Sequence, residues 1–433
     1  MNQSNNRRSF LKKTTAMLGA FSANSIFNEL HAAEWDNLEK TYHGRDAVEM
    51  ASNEDYWAVI QQGYSASTAP IVMLNNGGVS PSPIVVQQAV ERFNQMTNLG
   101  PSYFMWQILD QGRENLRESL AKLGGCSPEE IAINRNATEA LVTVIYGLDL
   151  QRGDEVIGSH QDYPNMMQAW KQREMREGIV YKQLDFEFPI EDDEQIVRAY
   201  QNAISPKTKI IHVTHVVNWT GQIMPVQKIA RMAHQKGIEV IVDGAHSYGL
   251  LEFNIPDLEG DYFGTSLHKY LSAPIGSGML WVKKEKISKV WPLICAGDPK
   301  SGDIRKFENL GTRSFPIEQG IGEAINFHNA IGTKRKEERV RYLKDYWATK
   351  ALEIPKLKLH TSLKKEYSCA LACISIDGLS PSEIYSQLIK LGKIQTSPIA
   401  LGKLNVVRIS PHVYTKISDL DKLVECLSKI SKG

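Results

Sequence analysis

The chain has little cysteine: five in 433 residues. That is too few for the disulfide framework by which small secreted domains hold together. It lacks any uninterrupted apolar run of roughly 18 residues or more, so no membrane-spanning helix is expected, and mean hydropathy is −0.31. It also lacks an excess of charge of one sign. Fifty Lys plus Arg face 49 Asp plus Glu, a net charge of +1, which argues against nucleic acid or an acidic membrane surface as partner, since both call for a basic stripe. Internal repeats and low-complexity tracts are absent as well. What remains is globular composition, 42% hydrophobic and 23% charged. At about 150 residues per domain, the length suggests two or three domains, or one large and one small.

One stretch does not read as fold. Asn6-Arg7-Arg8-Ser9-Phe10-Leu11-Lys12 precedes a mildly apolar segment from Thr14 to Phe27, a charged head and weakly hydrophobic body of export-signal type. The Arg7-Arg8 pair with Phe10-Leu11-Lys12 resembles the twin-arginine class. Two cleavage points compete, Leu30-His31-Ala32-Ala33 and Ser22-Ala23. Residues 1–33 are therefore set apart as a signal peptide and 34–84 as an N-terminal arm, expected to be helical, with Trp35, Tyr56 and Trp57. Within the arm, Asn75-Asn76-Gly77-Gly78 is a sharp break that either forms a turn or brings backbone near a ligand.

From 85 to 317 short apolar strands alternate with helices. Ile131–Asn134, Glu155–Gly158, Lys209–Thr214 and Ile238–Val242 read as strands. Thr138–Leu148 reads as a helix, and Val226, Ile229, Ala230 and Ala233 follow amphipathic helical spacing. Continuous apolar strands between helices imply a mostly parallel α/β sheet covered on both faces. Residues 318–433 read as a smaller α+β domain: a charge-rich, solvated helix over Lys334–Lys344, a strand over Cys369–Ile376, a helix over Pro381–Leu391, a strand over Val406–Ser410, and a last helix over Ile417–Ile430.

Ligands in open α/β sheets bind beyond the carboxyl ends of the strands, and the distinctive residues fall there. Ile238–Val242 runs into Asp243-Gly244-Ala245-His246. Then come Ser266-Leu267-His268-Lys269-Tyr270 and Gly276-Ser277-Gly278. A lysine among hydroxyls and a histidine, in a small-residue turn downstream of a strand-end carboxylate, suits pyridoxal phosphate. That cofactor needs an amine for a Schiff base and a carboxylate beside its pyridine nitrogen. Its phosphate needs backbone N–H groups at a helix start, and Asn136-Ala137-Thr138-Glu139 supplies one. Asn136 and Thr138 also suit simple helix capping, but the Asp–Lys pair favours phosphate binding.

Together, Asn136-Ala137-Thr138, Asp243-Gly244-Ala245-His246 and Ser266-Leu267-His268-Lys269 resemble the class V aminotransferases of pyridoxal-phosphate fold type I. The nearest likeness is to the isopenicillin N epimerase-like branch, with cysteine desulfurases further off. The likeness covers roughly residues 70–425. It implies that Lys269 is the Schiff-base lysine and that Asp243 pairs with the pyridinium nitrogen. His246 and Asn218 would stand near the cofactor's phenolic oxygen, and Ala137, Thr138, Ser266 and His268 would hold the phosphate. Thr312, in Asn309-Leu310-Gly311-Thr312-Arg313, matches a threonine that reaches the phosphate across a homodimer interface. Arg408 matches an arginine that grips a substrate carboxylate, for which a planar guanidinium is suited.

Two departures bear on the reaction. Where cysteine desulfurases stack a histidine on the cofactor ring, this chain reads Gln161-Asp162-Tyr163-Pro164-Asn165. Tyr163 is the expected stacking residue, and a slip of one position would put Asp162 there. Desulfurases also carry a mobile cysteine shortly before the carboxylate-binding arginine, and none lies between Lys393 and Val407. Cys369 and Cys373, about 13 Å apart at strand rise, read as core residues rather than a disulfide. His212 and His215, three apart on a strand, point to opposite faces and make no metal pair; no metal is expected. Tyr103-Phe104-Met105-Trp106 fits either a pocket wall or a dimer interface.

The expectation is an enzyme acting on a primary amine, an amino acid or amino-acid-like side chain. Free amino acceptors are scarce outside the cytoplasm, so the signal points to transamination or related tailoring of an exported metabolite in the periplasm. Epimerisation and C–S cleavage are the alternatives. A non-catalytic binding protein on the same fold is disfavoured by the complete set of Lys269, Asp243, His268 and Arg408. A cofactor enzyme that folds before export also suits the twin-arginine route, which moves folded proteins.

Overall fold

The computed structural model describes residues 41, 42 and 44–432; the export-signal reading lies outside them. A seven-stranded sheet forms the centre. Its strands, in chain order, are β1 (Ile131–Asn134), β2 (Glu155–Ser159), β3 (Val180–Leu184), β4 (Thr208–Thr214), β5 (Glu239–Asp243), β6 (Tyr262–Ser266) and β7 (Gly278–Val282). Their spatial order is β1-β7-β6-β5-β4-β2-β3. Strand β7 runs antiparallel to both neighbours, and the other pairings are parallel. This is the mostly parallel α/β architecture expected.

Side chains pass alternately to the two faces. Ile131, Ile133, Ile157, Val213, Val240 and Val242 join a core with the helices Arg113–Gly124, Asp193–Ala203 and Val226–His234. Ala132, Val156, Ile210, Ile241 and Leu280 join a second core with the helices Ala137–Gly147 and Pro164–Glu177. Burial on both faces explains why the strands read as continuous apolar runs.

The C-terminal part builds a second sheet from β8 (Leu357–Leu359), β9 (Ala372–Ile376), β10 (Ser397–Leu401) and β11 (Leu404–Ile409). Its order is β10-β11-β9-β8, antiparallel throughout. The arm is stitched to this part: Val72–Met73 pairs in parallel with Ile394–Gln395. Two arm helices, Ala47–Met50 and Glu54–Gln62, bury Tyr56, Trp57 and Ile60, and the Trp57 indole donates to Met50 O at 2.7 Å. Helix Phe315–Ile331 packs on helix Ile84–Asn98.

Two expectations are corrected here. The charge-rich helix, which spans Thr333–Ala351, is not merely a solvated face. Lys336, Arg339 and Lys344 on it are buried. Arg339 donates to Ala51 O at 2.9 Å and to Glu54 at 2.5 and 3.1 Å, tying the arm to this helix. Long basic side chains can lay their stems along apolar surface, and charge content alone conceals that. The strand read from Cys369 begins only at Ala372, so Cys369 precedes it. Both Cys369 and Cys373 are buried free thiols, their pKa values pushed up to about 12 by burial.

Candidate active site

Strands β2, β4, β5 and β6 end on one side of the sheet, at Ser159, Thr214, Asp243 and Ser266. Beyond them lies a cavity of about 420 Å³, closed on the far side by Ser397 and Arg408 of the small sheet and by Gly77-Gly78-Val79 of the arm. Its walls bring together Ala137, Thr138, Tyr163, Asn218, Asp243, His246, Ser266, His268, Lys269 and Arg408. Of the site residues that the resemblance implied, Thr312 alone stands apart; it is exposed and lines no part of this chain's own cavity.

The last residue of β5 is Asp243, whose Oδ1 accepts from Ala245 N at 2.9 Å. Burial raises its pKa above the ordinary carboxylate value, opposed by that backbone bond and by the charges of His212 and Lys269. Three residues on, His246 Nε2 lies 2.7 Å from Gly77 O. A carbonyl only accepts, so Nε2 carries the hydrogen. Burial, with the neighbouring Lys269 and Arg408 charges, holds the ring neutral. Lys269 Nζ lies 3.2 Å from the same nitrogen, whose one hydrogen is already directed at Gly77 O. The Lys269 pKa is lowered to about 8, chiefly by burial, with Asp243 opposing and Arg408 adding to the effect. The site thus favours the nucleophilic form of the amine.

At the other end of the cavity, Asn136 caps the helix Ala137–Gly147 by accepting from Glu139 N at 2.8 Å. Ala137 N donates to Ser266 Oγ at 2.9 Å, which joins the helix start to the end of β6. Gly278, at the start of β7, lies directly beneath: a Cβ there would come within 2.5 Å of Asn136 Cα and N. His268 Nδ1 is 3.0 Å from Ser277 O, so that nitrogen also carries its hydrogen.

Tyr163, 40% exposed, lines the cavity at the head of helix Pro164–Glu177. Asp162 turns inward instead, accepting from Ser159 N at 2.7 Å and Thr214 Oγ1 at 2.8 Å. Burial pushes its pKa up to about 6.

Arg408 is 5% exposed. It donates to Asn218 O and to Asn75 Oδ1, each at 2.7 Å, while its Nε is buried without a partner. Among the described residues no carboxylate pairs with it. Glycine at 77 lets the arm come this close, since a Cβ there would sit 2.9 Å from Leu371 Cδ2 and 3.3 Å from Arg408 Cζ. Sequence reasoning assigns no role to Thr214 or Trp219, nor to the side chain of Asn75, and leaves Gly77 between a turn and an approach to a ligand. The Asn75–Gly78 break was the only signal for two of them, and it fitted a plain turn equally well.

Other candidates fall away from the cavity. His212 accepts from the Trp170 indole at 3.4 Å, and His215 sits edge-on to Phe253; burial pushes both down to about 4. No cluster of three metal-ligating side chains occurs among the described residues. Tyr103 to Trp106 do not line the cavity.

These residues fit pyridoxal phosphate on their own chemistry. The set contains a lysine whose pKa burial lowers to about 8, a buried carboxylate with no salt-bridge partner among the described residues, a helix start with hydroxyls, and the Asn218 side-chain Oδ1, buried and unpartnered. The aminotransferase class V family matches residues 72–423, and the chain belongs to that family, a family of pyridoxal-phosphate-dependent enzymes. It is 26% identical over 378 residues to isopenicillin N epimerase of Streptomyces clavuligerus, covering 83% of this chain and 95% of that one. It is 28% identical over 388 residues to a probable cysteine desulfurase of Halalkalibacterium halodurans, covering 83% and 93%. The fold is similar to that of the Escherichia coli cysteine desulfurase CsdA, with a TM-score of 0.77 at 22% identity over 87% of this chain and 98% of that one.

Proposed function

We propose that the enzyme removes the proton from the amine-bearing carbon of an amino acid, or of an amino-acid-like side chain on a larger metabolite. The observation that carries this reading is Arg408, a buried cation in the cavity with an unpartnered Nε and, among the described residues, no carboxylate to neutralise it. An uncompensated buried charge is costly, and a substrate carboxylate would relieve it through charge-assisted bonds. Pyridoxal phosphate, when bound, supplies an electron sink for negative charge at that carbon.

The chain's own groups do the rest. Lys269 would bind the cofactor, give way to the substrate amine, and then move the proton at Cα as general base and acid. Asp243 would hold the ring nitrogen protonated. His246, fixed on Gly77 O, would orient the Lys269 amine and, with Asn218, meet the phenolic oxygen. Ala137, Thr138, Ser266 and His268 would retain the phosphate, and Tyr163 would cover the ring. Trp219 and the arm would limit water.

The first reading is transamination or a related tailoring of an exported metabolite, with the Arg7-Arg8 motif in favour of the periplasm as the site of action; a homodimer would place Thr312 at the neighbouring cavity. Epimerisation or C–S cleavage is the second reading, favoured by what the relatives are named for. Desulfuration through a cysteine nucleophile is disfavoured, since no cysteine lines the cavity. The test is incubation of the cofactor-loaded enzyme with an amino-acid panel in deuterated water. Deuterium at Cα with the amine retained marks an epimerase, a ketone product a transaminase, and pyruvate a lyase. Absence of any cofactor binding would remove the whole reading.

A further inference from the structure

One residue beyond Lys269, the main-chain carbonyl of Tyr270 accepts a hydrogen bond from Lys336 Nζ. Lys336 reaches it from helix Thr333–Ala351 and is 2% exposed. Its other neighbour is His328 Nδ1, at 3.4 Å, and among the described residues no carboxylate pairs with it. The turn it touches is unusual. Ser272 has φ +60, a left-handed conformation for a residue with a side chain, and its N–H closes back on Lys269 O at 2.9 Å. Such a conformation is strained for a residue with a side chain and persists only where the surroundings fix it.

The surroundings do fix it. The His412 ring stacks on Tyr270, with centroids 5.6 Å apart and planes 8° apart, and its Nε2 lies 3.2 Å from Ser272 Oγ. The Tyr64 hydroxyl donates to the same oxygen at 3.4 Å. A buried lysine without an acid is a costly way to join two elements, because methionine would fill the space without desolvating an amine. The position of Lys336, on the carbonyl next to the cofactor lysine, gives that cost a purpose.

We propose that Lys336 is a positioning residue for Lys269: by holding the Tyr270 carbonyl it sets the Lys269–Ser272 turn before any cofactor arrives. The inference rests on Lys269 being the cofactor lysine. The experiment follows two readouts in cofactor-free protein: the rate at which added pyridoxal phosphate acquires its lysine-bound visible absorption, and hydrogen exchange at the Ser272 amide. Lys336→Met should slow capture and speed that exchange by about fivefold, the order given by one lost hydrogen bond. Lys336→Gln, which keeps a donor, should recover part of both.

A folded Lys336→Met protein with wild-type capture and wild-type exchange overturns the proposal. Should that variant not fold, wild-type protein decides alone. The Ser272 amide should already be protected without cofactor, and protection that appears only after loading overturns the proposal. Lys269→Ala separates the two failures. If it keeps the lysine-bound absorption, the reading of Lys269 fails. If it loses the absorption and Ser272 stays protected, Lys269 stands as the cofactor lysine and the turn is set independently of it.

Discussion

Two lysines lie close together in this molecule under different conditions. Lys269 opens onto the cavity near Asp243 and Arg408; Lys336 sits behind its turn with His328 and a carbonyl for company. Burial lowers both, to about 8 and about 7. Only Lys269 has an acid nearby that pulls its pKa back up. The contrast shows how one physical effect serves two ends. A desolvated amine next to a carboxylate stays near its working range as a nucleophile. A desolvated amine with only neutral and basic neighbours is a hydrogen-bond donor that stays put.

The largest expected effect that sharpens this contrast is Lys269→Ala. It should lower turnover by about a thousandfold or more, the scale of losing a positioned acid–base group, with the fold retained by circular dichroism. Turnover within tenfold of wild type would leave Lys269 no better than Lys336 as the working amine.

Next is Arg408→Gln. Removing charge-assisted bonds to a carboxylate should raise KM about ten- to a hundredfold, and steady-state kinetics on the substrate found by the panel would show it. Because Arg408 lowers the Lys269 pKa, the same variant should move the pH midpoint of cofactor capture upward.

Asp243→Asn acts on one lysine and spares the other. It removes the acid that raises the Lys269 pKa, so the capture rate, which follows the neutral amine and should level off above pH about 8 in the wild-type protein, should level off at lower pH. An unchanged midpoint would show that Asp243 does not act on Lys269.

The last effect is on stability. For both lysines the folded pKa lies below the ordinary 10.5. Between about 7 and that value the unfolded chain therefore binds protons that the folded chain does not, and stability rises with pH. Urea midpoints of cofactor-free protein should climb from pH 7 toward 10. Each lysine contributes at most about 1.4 kcal/mol per pH unit within its own window. Lys336→Met should flatten the lower part of that climb, from about 7 upward, more than Lys269→Ala does.

Much of the candidate site was legible in the sequence because its residues sit at strand ends or just past them. Asp243 closes a β-branched strand, Lys269 lies three residues past the end of β6, and Thr138 lies in the first turn of a helix after Asn134. Position along a parallel strand predicts which side of the sheet a residue reaches. The contacts that cross between distant segments were not legible. Nothing in Asn75 says that it meets Arg408, 333 residues away, and nothing in Lys336 distinguishes it from the exposed lysines of the same helix.

By itself, the sequence determined the α/β class, the ordered Asp–Lys pair and the want of a cysteine before Arg408, because these depend on local periodicity and on residue chemistry. Only the tertiary structure decided which nitrogen of His246 carries the hydrogen, which basic residues are stripped of water, and where the turn after Lys269 finds its support. Those properties depend on what the rest of the chain places within hydrogen-bond reach and on how much solvent it excludes.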